Sequence, residues 1–306
     1  MKYELGIIGA GPAGYAAAIY AERAGVKTIV FDMGFGGGLA SVSPNIENYP
    51  GFDSISGLDL VEKMKAQASK YTEIKFGEEV VDVIKKENTF TIKTIKNKYN
   101  VTAILLCTGT FYKKLEVTGE RKFIGKGVSY CATCDGFFFK DKNVAVVGGG
   151  NSALIEAIYL KQIGCNQVHL IHRRNELRAE KAYENEAQNK GIIFHLNKVV
   201  EKINGKDKVE TLTLKDTKSN DLSELQIDGV FVSIGEEPKN ILAKKLGVKL
   251  DDKGFILTDK EGRTNIKAVY AAGDITGGIR QVITACAEGA TAALTSTESI
   301  GKKYPY

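Results

Sequence analysis

The chain has 306 residues, among them 33 glycines and five cysteines, and a formal net charge of +5. That length is enough for two domains with separate cores, and the mild, evenly spread positive charge suits a small anionic ligand better than a nucleic acid. No apolar run reaches membrane-helix length, no secretory signal is visible, and Cys107, Cys165 and Cys286 are scattered singly, so the sequence reads as a cytosolic protein with no membrane partner and no disulfide-stapled scaffold.

The first stretch, LGIIGAGPAGYAAAIYAERAGVKTIVFD, predicts a strand, a glycine loop, an alanine-rich helix closed by Gly25, and a second strand ending in Asp32. Gly9, Gly11 and Gly14, with Pro12 and Ala13 between them, let backbone approach a pyrophosphate seated on the helix N-terminus. Asp32 is expected to accept from ribose hydroxyls and to repel a 2′-phosphate, which calls for FAD or NAD(H). NTFTIKTIKNKYNV reads as an alternating hairpin of an added meander. AILLCTGTFYKK is a buried strand that breaks at Gly109.

The pair Cys131 and Cys134 follows in YCATCDG, with Asp135 next to it. NVAVVGGGNSALIEAIYLKQIGCNQVHLIHRR then repeats the first plan, with Gly164 closing the helix. Its loop is Gly148, Gly150 and Ala153, with Asn151 and Ser152 between. The acid of the first copy is replaced by HRRNELR. There His172, Arg173, Arg174 and Arg178 stand where an adenosine 2′-phosphate would lie, so this copy is expected to take NADPH. A single G-x-G-x-x-G is weak evidence; two copies, each between a strand and a helix, are strong.

GVFVSIGEEPKN echoes the earlier strand and breaks at Gly235. AVYAAGDIT is a strand ending in Gly273 and Asp274, followed by a small-residue helix in RQVITACAEGATAA. A carboxylate there can hold a ribityl hydroxyl, and the helix start can stabilise charge on a reduced isoalloxazine. Two distant segments suited to one long cofactor point to FAD. The expected fold is α/β: two Rossmann-like dinucleotide-binding domains, the second inserted into the first. An FAD domain is expected over residues 1–112 with 241–306, and an NADPH domain carrying the C-x-x-C over 113–240.

Zinc would need two more ligands beside the cysteine pair; no second C-x-x-C or histidine cluster is visible, His172 and His195 standing alone, and no metal is expected. A static disulfide is disfavoured in a reducing compartment. A redox pair next to a flavin is the favoured reading, with Asp135 moving protons as thiolates form and leave.

At this point the whole chain resembles the low-molecular-weight thioredoxin reductases, the bacterial and archaeal NADPH-dependent flavoproteins. The resemblance rests on both glycine loops, IENYPGF, GKGVSYCATCDGFF, VVGGGNSA, HRRNELRAEK and YAAGDI with RQVITACAEGATAA, in family order and spacing. It implies hydride transfer from NADPH to FAD and then opening of a Cys131–Cys134 disulfide. By the same resemblance Cys134 faces the flavin, Cys131 attacks a thioredoxin-like protein, and Asp135 is the general acid/base. Asn48 and the run Arg280, Gln281, Val282 match flavin-contacting positions, and Gly38 with Leu39 stands where the family often has Gly-Gln. Family members are homodimers whose NADPH domain rotates, with Gly109 and Gly235 near the hinge. Lys126 matches a partner-contacting position, and Phe137 and Phe138 could form an apolar landing surface or pack in the core. The competing enzyme readings are a dithiol oxidase, a ferredoxin-linked variant and a relative fused to its own redox domain. The competing non-enzyme reading is a flavin-binding redox sensor.

Overall fold

The apolar run after Glu4 becomes a four-residue strand, Leu5–Ile8, buried along its whole length. In the computed structural model, which describes residues 2–43 and 45–305, it is the centre of a five-stranded parallel sheet. The strands lie in the order Val269–Ala271, Ala103–Leu106, Leu5–Ile8, Thr28–Phe31 and Glu73–Lys75. Such strands are apolar on both faces because both faces are covered. Leu5, Ile7, Val30 and Leu105 point to the alanines of the helix Pro12–Arg23, while Ile8, Ile29, Phe31, Ile104 and Leu106 join Val83, Phe90 and Ile92 of an antiparallel meander. That meander is Val80–Lys86, Thr89–Thr94 and Lys98–Val101. The expected hairpin is present, but Phe90, Thr91 and Ile92 are all buried, so the simple alternation is lost. Gly6 makes room for it: a Cβ there would come within 2.3 Å of the Ile92 side chain.

These elements belong to one compact unit, residues 1–111 with 237–306; residues 112–236 form a second. The second unit follows the same plan. Its parallel sheet runs Ile193–Leu196, Val168–His172, Val144–Val147, Gly229–Val232 and Val128–Ser129. Val144, Val146, Leu170 and Phe231 pack with Ala153, Leu154 and Ala157 of the helix Asn151–Gln162. Ala145, Val147, Ile171, Val230 and Val232 face a second meander, Lys198–Asn204, Thr211–Asp216 and Leu222–Gln226. The sequence reading passed over this second meander, although TLTLKD alternates buried and half-buried residues.

The chain passes from one unit to the other in two extended segments, Thr110–Tyr112 and Glu236–Pro238, which pair as a two-stranded ribbon. Gly109 and Gly235 precede them with φ of 67° and 111°, a region open to glycine at little cost. Both units are thus dinucleotide-binding folds with a parallel sheet, a glycine loop and an added meander.

Candidate functional site

In the first unit the glycine loop is fixed by close backbone contacts. A Cβ on Gly9 would sit 2.1 Å from the Cys107 carbonyl oxygen, and one on Gly14 would sit 1.9 Å from that of Gly9. Gly11 differs, since a Cβ there would meet nothing within 4 Å. Its bareness therefore leaves room in front of the loop. The helix Pro12–Arg23 has Gly11 as its N-cap and no side-chain cap, whereas the helix Gly57–Ala68 is capped by Ser56, whose hydroxyl accepts from Asp59 N–H. Uncapped N–H groups at the start of a long helix fit a pyrophosphate.

Asp32 has a further task. Its Oδ2 accepts from Ala10 N–H at 2.9 Å and its Oδ1 from Gly34 N–H at 2.8 Å, so the carboxylate braces the loops on either side before any ribose is bound. Gly38 lies 3.7 Å from Gly11 Cα, measured from its added Cβ, and opens the short 3₁₀ turn that carries half-buried Leu39.

The C-terminal segment meets the same loop. A Cβ on Gly273 would lie 2.8 Å from Ala13 Cβ, and one on Gly289 would lie 2.1 Å from the Ala13 carbonyl oxygen. The helix Val282–Thr295 can approach Pro12–Arg23 this closely only because both contact faces are glycine and alanine. Asn48 Nδ2 donates to Gln281 Oε1 at 3.1 Å, joining two positions 233 residues apart, and Gln281 also caps that helix in a reciprocal box with Thr284. Arg280 is exposed at the mouth of the turn, Val282 is the first helical residue, and Asp274 starts the turn Asp274–Thr276. Glu288, missed in the sequence, accepts from Gly273 N–H at 2.8 Å and from the Thr276 hydroxyl at 3.2 Å. A lone carboxylate in a helix of small residues was the available signal. These residues, with the open space at Gly11, fit a long dinucleotide.

In the second unit Gly148 is packed as tightly as Gly9: its Cβ would fall 2.4 Å from the Ser233 carbonyl oxygen and 2.5 Å from Ala153 Cβ. Gly150, like Gly11, opens to free space and caps the helix Asn151–Gln162 without a side-chain bond. The arginine segment returns to this loop. Arg178 N–H donates to the Gly149 carbonyl at 2.7 Å; Asn151 Nδ2 donates to Glu180 Oε1 at 2.7 Å, and Glu180 N–H to Asn151 Oδ1 at 2.8 Å. Ser152, Arg173, Arg174 and Arg178 are exposed, and none of the three arginines forms an ion pair among the described residues. His172 is placed differently from its neighbours. It is 6 % exposed, and its ring lies under Gly149, where an added Cβ would come within 2.2 Å of Nδ1. Burial lowers its basicity, so it serves as a neutral floor to the loop.

The redox loop starts at the end of the edge strand Val128–Ser129. Cys131 and Cys134 are joined as a disulfide with Cα atoms 5.3 Å apart, across the single turn Ala132–Asp135. Ala132 points into the core and Thr133 outward, and the Cys131 sulfur lies 3.4 Å from the Thr133 hydroxyl. The turn sits closely on the helix Asn151–Gln162: a Cβ on Gly136 would be 3.0 Å from both Leu160 and Ile163. Asp135 accepts from the Ser129 hydroxyl at 2.5 Å through Oδ2, while Oδ1 is buried and without a partner. Burial raises its pKa above the ordinary carboxyl value and the Ser129 bond opposes that rise.

Tyr130 anchors the other side of the loop. Its phenol donates to Glu120 Oε1 at 2.8 Å and its ring stacks on Tyr112, with centroids 5.3 Å apart. Glu120, 1 % exposed, also accepts from Leu115 and Glu116 N–H at 2.9 and 2.7 Å. Sequence reasoning found none of this network, whose members lie up to 18 positions apart with no local pattern. Of the phenylalanines, Phe137 is 62 % exposed, Phe138 half-buried, and Phe139 packs edge-on against Phe231. Lys126 is exposed in a turn held by glycines at φ 72° and 116°.

The three lone cysteines do not extend this chemistry. Burial pushes the Cys165 and Cys286 thiols up to about 11 and raises that of Cys107 as well, so all three stay protonated near neutrality.

The reading of His195 as a lone residue is corrected. Strands Val168–His172 and Ile193–Leu196 pair in parallel with Ile171 opposite His195, which brings His195 Nε2 within 2.9 Å of His169 Nδ1. No group of three or more metal-binding side chains is found among the described residues. Burial, with the neighbouring ring, takes His169 down to about 4, and burial lowers His195 too. Both are neutral in the fold and protonate below their ordinary value of about 6.5 when unfolded. Stability from the pair is therefore complete above about pH 6.5 and is lost as pH falls toward 4. Denaturation midpoints at pH 7.5 and 5 are expected to differ by about 1–3 kcal/mol in stability, and His169→Leu should remove most of that difference. An equal pH dependence in the variant would assign it to other groups, buried His172 and the carboxylates among them.

Comparison with known proteins gives one answer. Residues 3–289 match the model of the pyridine nucleotide-disulphide oxidoreductase family. A thioredoxin reductase of Treponema pallidum is 41 % identical over 294 residues, spanning 95 % of each chain, and one of Bacillus subtilis is 40 % identical over 95 % of this chain and 92 % of its own. The crystal structure of thioredoxin reductase from Streptococcus pyogenes superposes with a TM-score of 0.93 at 36 % identity, covering 98 % of both chains. Enzymes of this kind are flavoproteins that use FAD and NADPH. Two glycine-loop folds, an active disulfide with a buried acid beside it, and full-length similarity at this level mean that the chain belongs to the thioredoxin reductases of the pyridine nucleotide-disulphide oxidoreductase family.

Proposed function

We propose that the protein is a thioredoxin-disulfide reductase that takes electrons from NADPH and delivers them through FAD and the Cys131–Cys134 disulfide to thioredoxin. The observation that carries this reading is the disulfide itself, held on one helical turn next to an acid with a free oxygen. The unit of residues 1–111 and 237–306 is assigned to FAD and that of 112–236 to NADPH. In the first, Gly9, Gly11, Pro12, Ala13 and Gly14 take the pyrophosphate, and Asp32 the ribose. Gly38, Leu39, Asn48, Gly109, Gly273, Asp274, Arg280, Gln281 and Val282 surround the remainder. In the second, Gly148, Gly150, Asn151, Ser152 and Ala153 take the pyrophosphate; Arg173, Arg174 and Arg178 take the 2′-phosphate, and His172 supports the loop from below.

When bound, FAD supplies a two-electron relay between the nicotinamide and the disulfide. The chain's own residues do the rest. Cys134 is the sulfur that receives the electron pair, the S–S bond breaks, and Cys131 leaves as a thiolate. Asp135 gives that sulfur its proton and later takes one back when Cys131 attacks the partner disulfide. Lys126, Phe137 and Phe138 are assigned to partner contact; a charged side chain beside an exposed phenylalanine suits a protein surface. We place the enzyme in the cytoplasm, in keeping with its scattered single cysteines, and assign it a homodimer from the family resemblance. No helix among the described residues is long and apolar enough to cross a membrane. The uncommitted arginines favour this reading over a dithiol oxidase that needs no NADPH.

Anaerobic titration of the flavin-loaded protein with NADPH tests the relay. The first equivalent is expected to be consumed with little loss of flavin absorbance, because the disulfide accepts it, and bleaching should follow. Immediate stoichiometric bleaching, with no second acceptor, would remove the disulfide from the path.

A further inference from the structure

Ser129 occupies the last position of the edge strand, paired with Phe231 and 5 % exposed. A buried hydroxyl must be hydrogen-bonded or cost the fold free energy. This one has three candidate partners within the redox loop: Asp135 Oδ2 at 2.5 Å, Cys131 N–H at 3.1 Å and the Cys131 carbonyl oxygen at 3.4 Å. A hydroxyl has one proton to donate and lone pairs to accept with. The shortest contact is to the carboxyl oxygen, so the proton goes to Asp135 and the lone pair to Cys131 N–H. Asp135 N–H in turn donates to the Cys131 carbonyl at 3.1 Å. The acid and the first cysteine are thus tied together twice, once through backbone and once through Ser129. Only Asp135 Oδ1 is left over, buried and unpartnered.

We propose that Ser129 is a positioning residue of the redox loop: its hydroxyl holds Asp135 Oδ2 and the Cys131 backbone together, and so leaves Oδ1 as the one atom that passes a proton to the sulfur released when the disulfide opens. This rests on the assignment of Asp135 as the acid. The balance is simple. Reducing the disulfide takes two electrons and two protons; the electrons and one hydrogen nucleus arrive as the hydride of NADPH, and the second proton comes from Oδ1. Asp135 is left as a carboxylate, which the Ser129 hydroxyl stabilises by a charge-assisted bond until a proton returns. Burial alone disfavours the carboxylate, the form the return step needs. Ser129 offsets that effect, letting one group act in both directions.

The test uses the holoenzyme as Ser129→Ala, Ser129→Thr and Asp135→Asn. Infrared difference spectra against pH follow the carboxylic-acid carbonyl band that disappears in Asp135→Asn, a signal independent of turnover. In Ser129→Ala its midpoint is expected to rise by about one pH unit or more, as befits loss of a hydrogen bond to a charged group. The corresponding limb of the pH profile of thioredoxin-disulfide turnover should move with it, while KM for NADPH stays put. Ser129→Thr, which keeps the hydroxyl, should restore the midpoint. An unmoved midpoint in Ser129→Ala, with turnover lost in Asp135→Asn, would reduce Ser129 to packing and leave the acid assignment standing. Full turnover in Asp135→Asn would remove the acid itself, and the proposal with it.

Discussion

The Cys131→Ser protein, loaded with flavin and mixed anaerobically with NADPH, should bleach on the first equivalent and reduce no thioredoxin disulfide. Serine is nearly isosteric, and the turn that carries position 131 is held by contacts the substitution leaves alone: Ala132 in the core, Gly136 on the helix and the Ser129 bond to Asp135. The fold and the nucleotide loops should therefore survive. What is lost is the second electron acceptor and the attacking sulfur. A serine hydroxyl is far too weakly acidic to replace a thiolate as nucleophile. Turnover on thioredoxin should fall by about 10³-fold or more, the scale seen when a nucleophile is deleted. NADPH-driven flavin reduction should remain within about twofold of the parent, since position 131 lies outside both glycine loops. Turnover within tenfold of the parent would show that the mixed disulfide forms elsewhere. Cys134→Ser gives the complementary result, with an intact Cys131 thiol that can be alkylated yet receives no electrons.

The parts legible in the sequence were those where one residue type answers a local demand. Gly9 carries a φ of 111° with a carbonyl oxygen where its Cβ would stand, and Gly148 meets a carbonyl and a methyl at the matching point of the second loop. No other side chain fits either place, so the two loops announce themselves. Two cysteines three positions apart on one turn are equally local. What stayed hidden was every contact made by tertiary pairing. Glu288 reaches back to Gly273 and Asn48 across to Gln281. His169 meets His195 through strand register, and Tyr130 meets Glu120 and Tyr112 through a folded-back segment. Each partner is an ordinary polar residue at an unremarkable spacing. Asp32 shows a subtler gap. Its position after the second strand marks a nucleotide loop, but the fold uses both of its oxygens to brace backbone, which no strand-end pattern conveys.

Removing two arginines should separate the two nicotinamide cofactors. In the Arg173→Ala, Arg174→Ala double variant, NADPH is expected to bind about 10²-fold more weakly or worse, from roughly 1.5–3 kcal/mol for each hydrogen bond to a charged group. NADH, which lacks the 2′-phosphate, should change by less than about threefold. Arg178 N–H is bonded to the Gly149 carbonyl, and Asn151 with Glu180 closes the segment onto the start of the helix, so residues 173–180 are pinned next to the glycine loop. The three guanidinium groups are exposed and have no carboxylate partners among the described residues, so their charge is unspent. His172 is buried and neutral beneath Gly149 and adds no charge of its own to the site. Exposed charges are also screened, which supplies a second signature. Parent affinity for NADPH should fall from low to moderate salt far more steeply than affinity for NADH, and the double variant should lose that difference. Arg23→Ala, which removes a surface guanidinium in the other unit, is the control for net charge. Equal losses for NADPH and NADH in the double variant would mean that the arginines shape the loop without reading the phosphate, and cofactor choice would have to be sought at Arg178 and Ser152.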